Sequence, residues 1–308
     1  VRATTKAWAQ VHFATMLWGF TAVIGKLIWL GALALVWWRM LIVAVLLALW
    51  PPCWRALAKI PRRLVWSYAG IGFVIALHWW SFYGAVKLAN ASVAATCMAL
   101  APVMLSFVEP LIARRRFEIR ELWFGLAAIP GVALVVGGTP DSMRLGIVVG
   151  ALSAFAVAVF GALNKRFLGD SDALAVTGIE MSSGVLTLSL IALVLPPSQS
   201  PYVVPAEHDV MLLLVLAIGC TIVPFALWLV ALRRLSAYST MLAVNMEPVY
   251  AVILASLLLG EQRELTPTFY LGVGILLAVI LGHPVWTRRA QLAEARLASS
   301  PKTPKNID

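Results

Sequence analysis

Charge is scarce in this chain. Only 12% of its 308 residues are Asp, Glu, Lys or Arg, about half the ~25% usual in a soluble domain, which excludes an ordinary cytosolic enzyme and a disordered tail. Cysteine is scarce too. Cys53, Cys97 and Cys220 are odd in number and contain no CxxC pair, so neither a disulfide framework nor a zinc site is spelled out, and they read as small buried side chains. There is no HExxH, no His/Cys cluster and no glycine-rich loop ending in Lys-Ser or Lys-Thr. These absences argue against metal hydrolysis and ATP drive, and no cofactor is expected. Paired intramembrane acids are missing as well. The only adjoining His–acid set, Glu207-His208-Asp209, falls in a loop, so the acid–base constellation of a membrane enzyme is not found.

Apolar residues fill the space: they make up 61% of the chain and form runs long enough to cross about 30 Å of hydrocarbon. Ten such runs stand at 8–29, 32–50, 64–88, 91–113, 119–138, 144–166, 173–196, 209–232, 236–259 and 266–287. The first is too long for a signal-peptide core and has no cleavage site, so it reads as a retained helix. The fold class expected is an all-α polytopic membrane protein. Its partners would be the lipid bilayer and a small-molecule substrate.

Basic residues orient the spans. With the N-terminus in the cytoplasm, the inner segments hold Arg2, Lys6, Arg55, Lys59, Arg62, Arg63, the run Arg114–Arg116 and Arg120. They also hold Lys165, Arg166, Arg233, Arg234 and five cations of the tail, in all nineteen of the 24. Lys87, Arg144 and Arg263 remain outside. That bias predicts ten transmembrane helices with both termini cytoplasmic. The net charge of +10 is then a topology signal, and no nucleic-acid partner is expected. Trp8, Trp50, Trp54, Trp66, Trp123 and Trp286 fall at inner span ends and Trp29 at an outer end, as an interfacial belt would place them.

The halves repeat at an offset of about 146 residues. Ala101-Pro102-Val103 in the fourth span matches Glu247-Pro248-Val249 in the ninth, and both spans lead into charged turns, Arg114–Glu118 and Gly260–Glu264. Gly25-Lys26 near the end of the first span matches Asn164-Lys165 in the sixth. Five spans per copy is odd, so the copies insert with opposite orientation, an arrangement typical of transporters. The expected units are 1–141, 142–290 and a tail at 291–308. Gly146, Gly150, Ala154, Ala158 and Ala162 form a small-residue stripe in the sixth span, read as packing within the fold or as a dimer seam. A monomer is expected to suffice, with a dimer as the alternative.

Trp18-Gly19 followed by Lys26, Arg39 in the second span, and the Pro-Val element with a charged turn in spans four and nine resemble the EamA-type drug/metabolite transporter superfamily. The resemblance covers about residues 8–285. Within the superfamily the chain is most similar to bacterial exporters of aromatic and other neutral amino acids. It implies an integral protein of the bacterial inner membrane that exports such amino acids through a central cavity by alternating access. Carriers of drugs or nucleotide sugars are the alternative. The first-half turn departs from the family pattern, having Arg114-Arg115 where Gly260-Glu261 stands in the second half.

A short set of residues then carries the candidate chemistry. Pro102 and Pro248 each remove a helix hydrogen bond, freeing the carbonyls of Met98 and Val244. They are read either as static kinks or as hinges lining the path. His78 and Phe82 share a helix face, as do Trp79 and Tyr83, and Trp18 lies too deep for the belt. Such aromatics are either core packing or the wall of a substrate cavity. Met98 and Asn245 complete the substrate-facing set. Lys26 and Arg39 either snorkel to the outer interface or capture a carboxylate. Glu180 and Glu247 are the deep acids, with Glu247 the candidate for proton coupling or a buried ion pair. Asn245 and Glu247 are about 200° apart on a helix, so only one of the two can face the cavity.

Overall fold

The computed structural model describes residues 2–114, 117, 119–244, 246–279 and 282. Among these there is no strand. The helices are α1 (Arg2–Leu27), α2 (Ala32–Ala48), α3 (Pro51–Leu57), α4 (Arg62–Leu88), α5 (Ala91–Cys97), α6 (Ala101–Ala113) and α7 (Ile119–Gly137). The second half continues with α8 (Arg144–Phe167), α9 (Ala173–Ala192), α10 (Glu207–Ala217), α11 (Val223–Leu232), α12 (Ala237–Val244), α13 (Glu247–Leu259) and α14 (Pro267–Val279). Among the described residues, five helical stretches are long and apolar enough to cross a membrane: Arg62–Leu88, Ala91–Ala113, Asp141–Phe167, Ala173–Ala192 and Glu207–Leu232. α2 with α3 makes a sixth if that pair, bent by 87°, is one span, and α13 and α14 are shorter apolar helices.

The bends have local causes. Pro51 and Pro52 occupy the first turn of α3, where a missing N–H costs nothing and the fixed φ favours a new helix start. Asn90 caps α5 by accepting the Val93 N–H, and Asp172 caps α9 by accepting those of Leu174 and Ala175, satisfying donors that a helix start leaves open. α5 and α6 are joined by a single 3₁₀ turn, Met98–Leu100. α10 passes into α11 through a π turn, Ile218–Ile222, and Pro224 lies in the first turn of α11.

The kinks expected at the two prolines take a different form, since Ala91–Ala113 is one span-length stretch with a 3₁₀ turn inside it. Pro102 does not sit inside a continuous helix. It lies in the first turn of α6, and Pro248 lies in the first turn of α13. The Met98 carbonyl is not left free either, because the Ala101 N–H donates to it in the 3₁₀ turn. The tryptophan belt at Trp29, Trp50, Trp54, Trp66 and Trp123 is exposed. Trp286 and the basic tail lie outside the described residues.

The two halves interlock. α4 packs mainly on α8 and α9, and α1 on α11 and α13. Small residues permit this. A Cβ on Gly72 would come within 2.3 Å of the Glu180 carbonyl oxygen on α9, and one on Gly150 within 2.7 Å of Cys97 Sγ. Gly146, Gly150, Ala154, Ala158 and Ala162 are all buried, so the small-residue stripe is occupied within the chain.

Candidate functional site

A cavity of about 70 Å³ lies where α1, α2, α4, α8, α11 and α13 converge. It has room for several waters and is smaller than the ~300 Å³ at which ligand pockets begin, so admitting a substrate requires its side chains to part. Its walls are aromatic and come from both halves. Trp18 meets Phe225 edge-on at 5.8 Å and Trp228 at 6.2 Å between ring centroids, Phe160 stacks on Trp228 at 5.5 Å, and Trp79 meets Phe225 at 5.7 Å. Such edge and offset contacts hold the rings in fixed orientations.

Arg39 forms the cationic pole. It is not extended to the interface but is 2% exposed and lines the cavity. Its Nε donates to Thr221 Oγ1 (2.8 Å), Nη1 to Tyr83 Oη (2.7 Å) and Nη2 to the Cys220 carbonyl (3.0 Å), and its guanidinium lies 3.9 Å over the Trp79 ring. The Cys220 carbonyl is available because Pro224, four residues on, has no N–H to give it. The Tyr83 ring reaches Arg39 over Gly25, where a Cβ would come within 2.2 Å of it. Three of the five guanidinium N–H bonds are used, leaving two. No carboxylate forms an ion pair with Arg39 among the described residues.

Glu247 is the cavity's acid. It begins α13, where unsatisfied N–H groups and the helix dipole favour a carboxylate, and Arg39 is the cation that acts on it electrostatically. His78 is held by Ser153. Nδ1 lies 3.0 Å from the Ser153 carbonyl, and Ser153 Oγ donates to the His78 carbonyl at 2.8 Å. A carbonyl only accepts, so Nδ1 carries the proton and Nε2 is left as an acceptor. Trp228 Nε1 is buried with no hydrogen-bond partner. An unpaired buried donor costs roughly 1–3 kcal/mol, which a ligand acceptor would recover.

The structure therefore brings Trp18, His78, Trp79, Phe82, Met98, Arg39 and Glu247 to one cavity. Tyr83 is buried behind it and serves Arg39. Asn245 lies outside the described residues. Lys26 is exposed, and its Nζ donates to the Ala89 carbonyl at 3.4 Å, tying α1 to the α4–α5 corner rather than facing the cavity. Glu180 is also elsewhere. It is fully buried at the junction of α9 with α4, beside the equally buried Asn164. Pro102 and Pro248 begin the helices that flank the site. Sequence reasoning missed Phe160, Phe225, Trp228, Thr221 and Pro224. The available signal was Pro224-Phe225 with Trp228 deep in the eighth run, the stretch that pairs with His78–Phe82 at the repeat offset.

The sequence model of the EamA-like transporter family matches the chain twice, over residues 8–137 and 144–282. No curated protein sequence matches it. The fold superposes on a crystal structure described only as that of a protein. The TM-score is 0.65 at 18% identity, over 96% of this chain and 99% of the other, a likeness of fold. Two matched copies spanning most of the chain, together with the apolar helices, place the protein in the membrane as a transporter of the drug/metabolite superfamily, and the chain belongs to the EamA-like transporter family.

Proposed function

We propose that the protein exports aromatic and other neutral amino acids from the cytoplasm across the bacterial inner membrane. On this reading ten spans form two inverted repeats, 1–141 and 142–290, followed by a cytoplasmic tail, and a monomer suffices for transport. The observation that carries the reading is the cavity's mixture of surfaces. Aromatic rings from both halves surround polar groups with unspent capacity, among them Arg39, Glu247 and Trp228 Nε1. A zwitterion with an apolar or aromatic side chain matches that set. Its carboxylate meets Arg39 and the indole N–H, its ammonium meets Glu247, and its side chain lies among the rings. Phosphorylated substrates fit less well, because Arg39 is the only Lys or Arg among the lining residues.

Transport follows from exposing this cavity to the two faces in turn. The broken helices α5–α6 and α12–α13, with Pro102 and Pro248 at their restarts, are the hinges we assign to that movement. Glu247 is the group we assign to proton exchange.

The test is flux of labelled Trp, Phe, Thr, Met, a nucleotide sugar and a cationic dye in proteoliposomes, with and without a pH gradient. Trp and Phe are expected to move, and Trp228→Phe, which keeps the ring but loses the donor, to raise their KM. No flux of any amino acid overturns the function. Flux indifferent to the gradient removes the proton role of Glu247.

A further inference from the structure

The 87° bend between α2 and α3 opens a second cavity, on the flank of the molecule. It is a groove of about 450 Å³ between α2, α3, α4 and α9. Leu47, Leu57, Val65, Ile179 and Leu186 wall it, Gly178 leaves it deep, and no charged side chain lines it. The groove is separate from the transport cavity and shares no lining residue with it.

Charge is concentrated at its α3–α4 corner. Arg55, Lys59, Arg62 and Arg63 are exposed and form no ion pair among the described residues. No Asp or Glu occurs in the chain before Glu109, so nothing in this stretch neutralises them. Asp172, the acid that acts on Cys53 in the groove wall, is engaged as the cap of α9. Arg62, Val65 and Ala69 share one stripe of α4, and Val65 and Ala69 line the groove, so Arg62 stands at its mouth. Trp54, 59% exposed, lines the same corner, the placement of an interfacial anchor. The protein's own tail is a poor occupant, since Arg288, Arg289, Arg296, Lys302 and Lys305 would meet like charge.

We propose that this groove is a binding site for one anionic glycerophospholipid of the leaflet on the basic side. One acyl chain lies between α2, α4 and α9, and the phosphate is held by Arg62 with Arg55 and Arg63. Basic pockets between helices recognise anionic headgroups in this way, and the guanidinium fork suits a phosphate. An apolar slot alone would accept any acyl chain. The unneutralised arginines are what select an anionic lipid over a zwitterionic one.

The test uses the full chain in nanodiscs holding equal amounts of phosphatidylglycerol and phosphatidylcholine with identical acyl chains, released and weighed by native mass spectrometry. The wild type is expected to retain one phosphatidylglycerol per chain, several-fold over phosphatidylcholine. The triple variant Arg55→Gln, Arg62→Gln, Arg63→Gln should lower phosphatidylglycerol retention to the phosphatidylcholine level. Gly178→Leu should abolish retention of both, because a Cβ there meets only Leu47, at 3.7 Å, and the added side chain enters the groove. Equal retention of the two lipids by the wild type, or an unchanged preference in the triple variant, overturns the proposal. The triple variant changes exposed positions alone and decides the matter if Gly178→Leu is not monodisperse.

Discussion

The two halves fill the same slot with different helices. In the first half the third expected span, α4, runs unbroken from Arg62 to Leu88. Its counterpart in the second half is α10, a π turn and α11, and Pro224 stands where His78 stands, at an offset of 146 residues. The straight helix presents His78 in a closed exchange with Ser153. The broken one presents a bare carbonyl, Cys220, to Arg39. Duplication thus supplies a symmetric frame, and departures from symmetry give the cavity its polar groups.

The helix ends make the same point. α6 and α13 stop at equivalent positions with left-handed residues, but one is Arg114 (φ 53°) and the other Gly260 (φ 71°). After Gly260, Glu261 is buried against the start of α5, accepting the N–H groups of Ala91 and Ser92 and the Ser92 hydroxyl. A second-half carboxylate therefore caps a first-half helix and latches the halves together at that end. Arg115 stands at the offset position of Glu261 in the first-half turn and lies outside the described residues. The lysines follow suit. Lys26 makes one long bond to the Ala89 carbonyl, whereas Lys165 makes two, of 2.7 and 2.6 Å, to Leu232 and Leu235.

Breaking the latch should have the largest effect. Glu261→Ala leaves three donors at the start of α5 without their acceptor, and bonds to charged groups contribute about 1.5–3 kcal/mol each. A stability loss of about 3 kcal/mol is expected in thermal unfolding in detergent, partly recovered by Glu261→Gln. A melting temperature equal to wild type would show that the halves do not depend on this contact.

Removing the cavity's cation comes next. Arg39→Met strands the Cys220 carbonyl and the Tyr83 hydroxyl, while Thr221 keeps its bond to the Leu216 carbonyl, an expected cost of about 2 kcal/mol. Amino acid flux should be lost along with it. Arg39→Lys should restore little, because an ammonium cannot reproduce the fork or the stacking on Trp79.

Pro224→Ala sharpens the comparison between α4 and its counterpart. It supplies the N–H that the Cys220 carbonyl lacks and so competes with Arg39. A loss of about 1 kcal/mol, or roughly fivefold in flux, is expected with the fold intact. In the Arg39→Met background the same change should have almost no effect, as coupled neighbours require. Additive effects would separate Pro224 from Arg39.

The smallest expected effect is a gain. Arg114→Gly removes the strain of a side chain in the left-handed region and should stabilise the protein by up to about 1 kcal/mol. The same substitution logic cannot improve position 260, which is already glycine.

Much of this was legible in the residues. The apolar runs fell on helices, and the matched pairs Pro102/Pro248 and Lys26/Lys165 pointed to two copies. Trp18, His78, Trp79 and Phe82 were singled out by their depth and shared helix faces, and Arg39 as a rare charge near an outer span end. Periodicity, however, cannot tell which side of a buried helix faces a cavity when both sides are apolar. Phe160, Phe225 and Trp228 were therefore hidden among ordinary apolar residues. Glu180 and Lys26 drew notice because charge is rare in such a chain, yet α9 buries the one against α4 and Lys26 is spent on a neighbouring carbonyl.

The prolines show where local inference stopped. Each removes an N–H and frees the carbonyl four residues earlier, and that much is covalent chemistry. At Met98 the freed carbonyl is taken by the next turn. At Cys220 it is taken by an arginine from the other half of the chain. The sequence by itself determined that this protein is built of apolar helices in two matched copies, with few charges and therefore few places for chemistry, because solvation in lipid and helix geometry act along the chain. Only the tertiary structure decided which of those few groups meet, since hydrogen bonds and ring contacts between helices far apart in sequence depend on how the halves interlock.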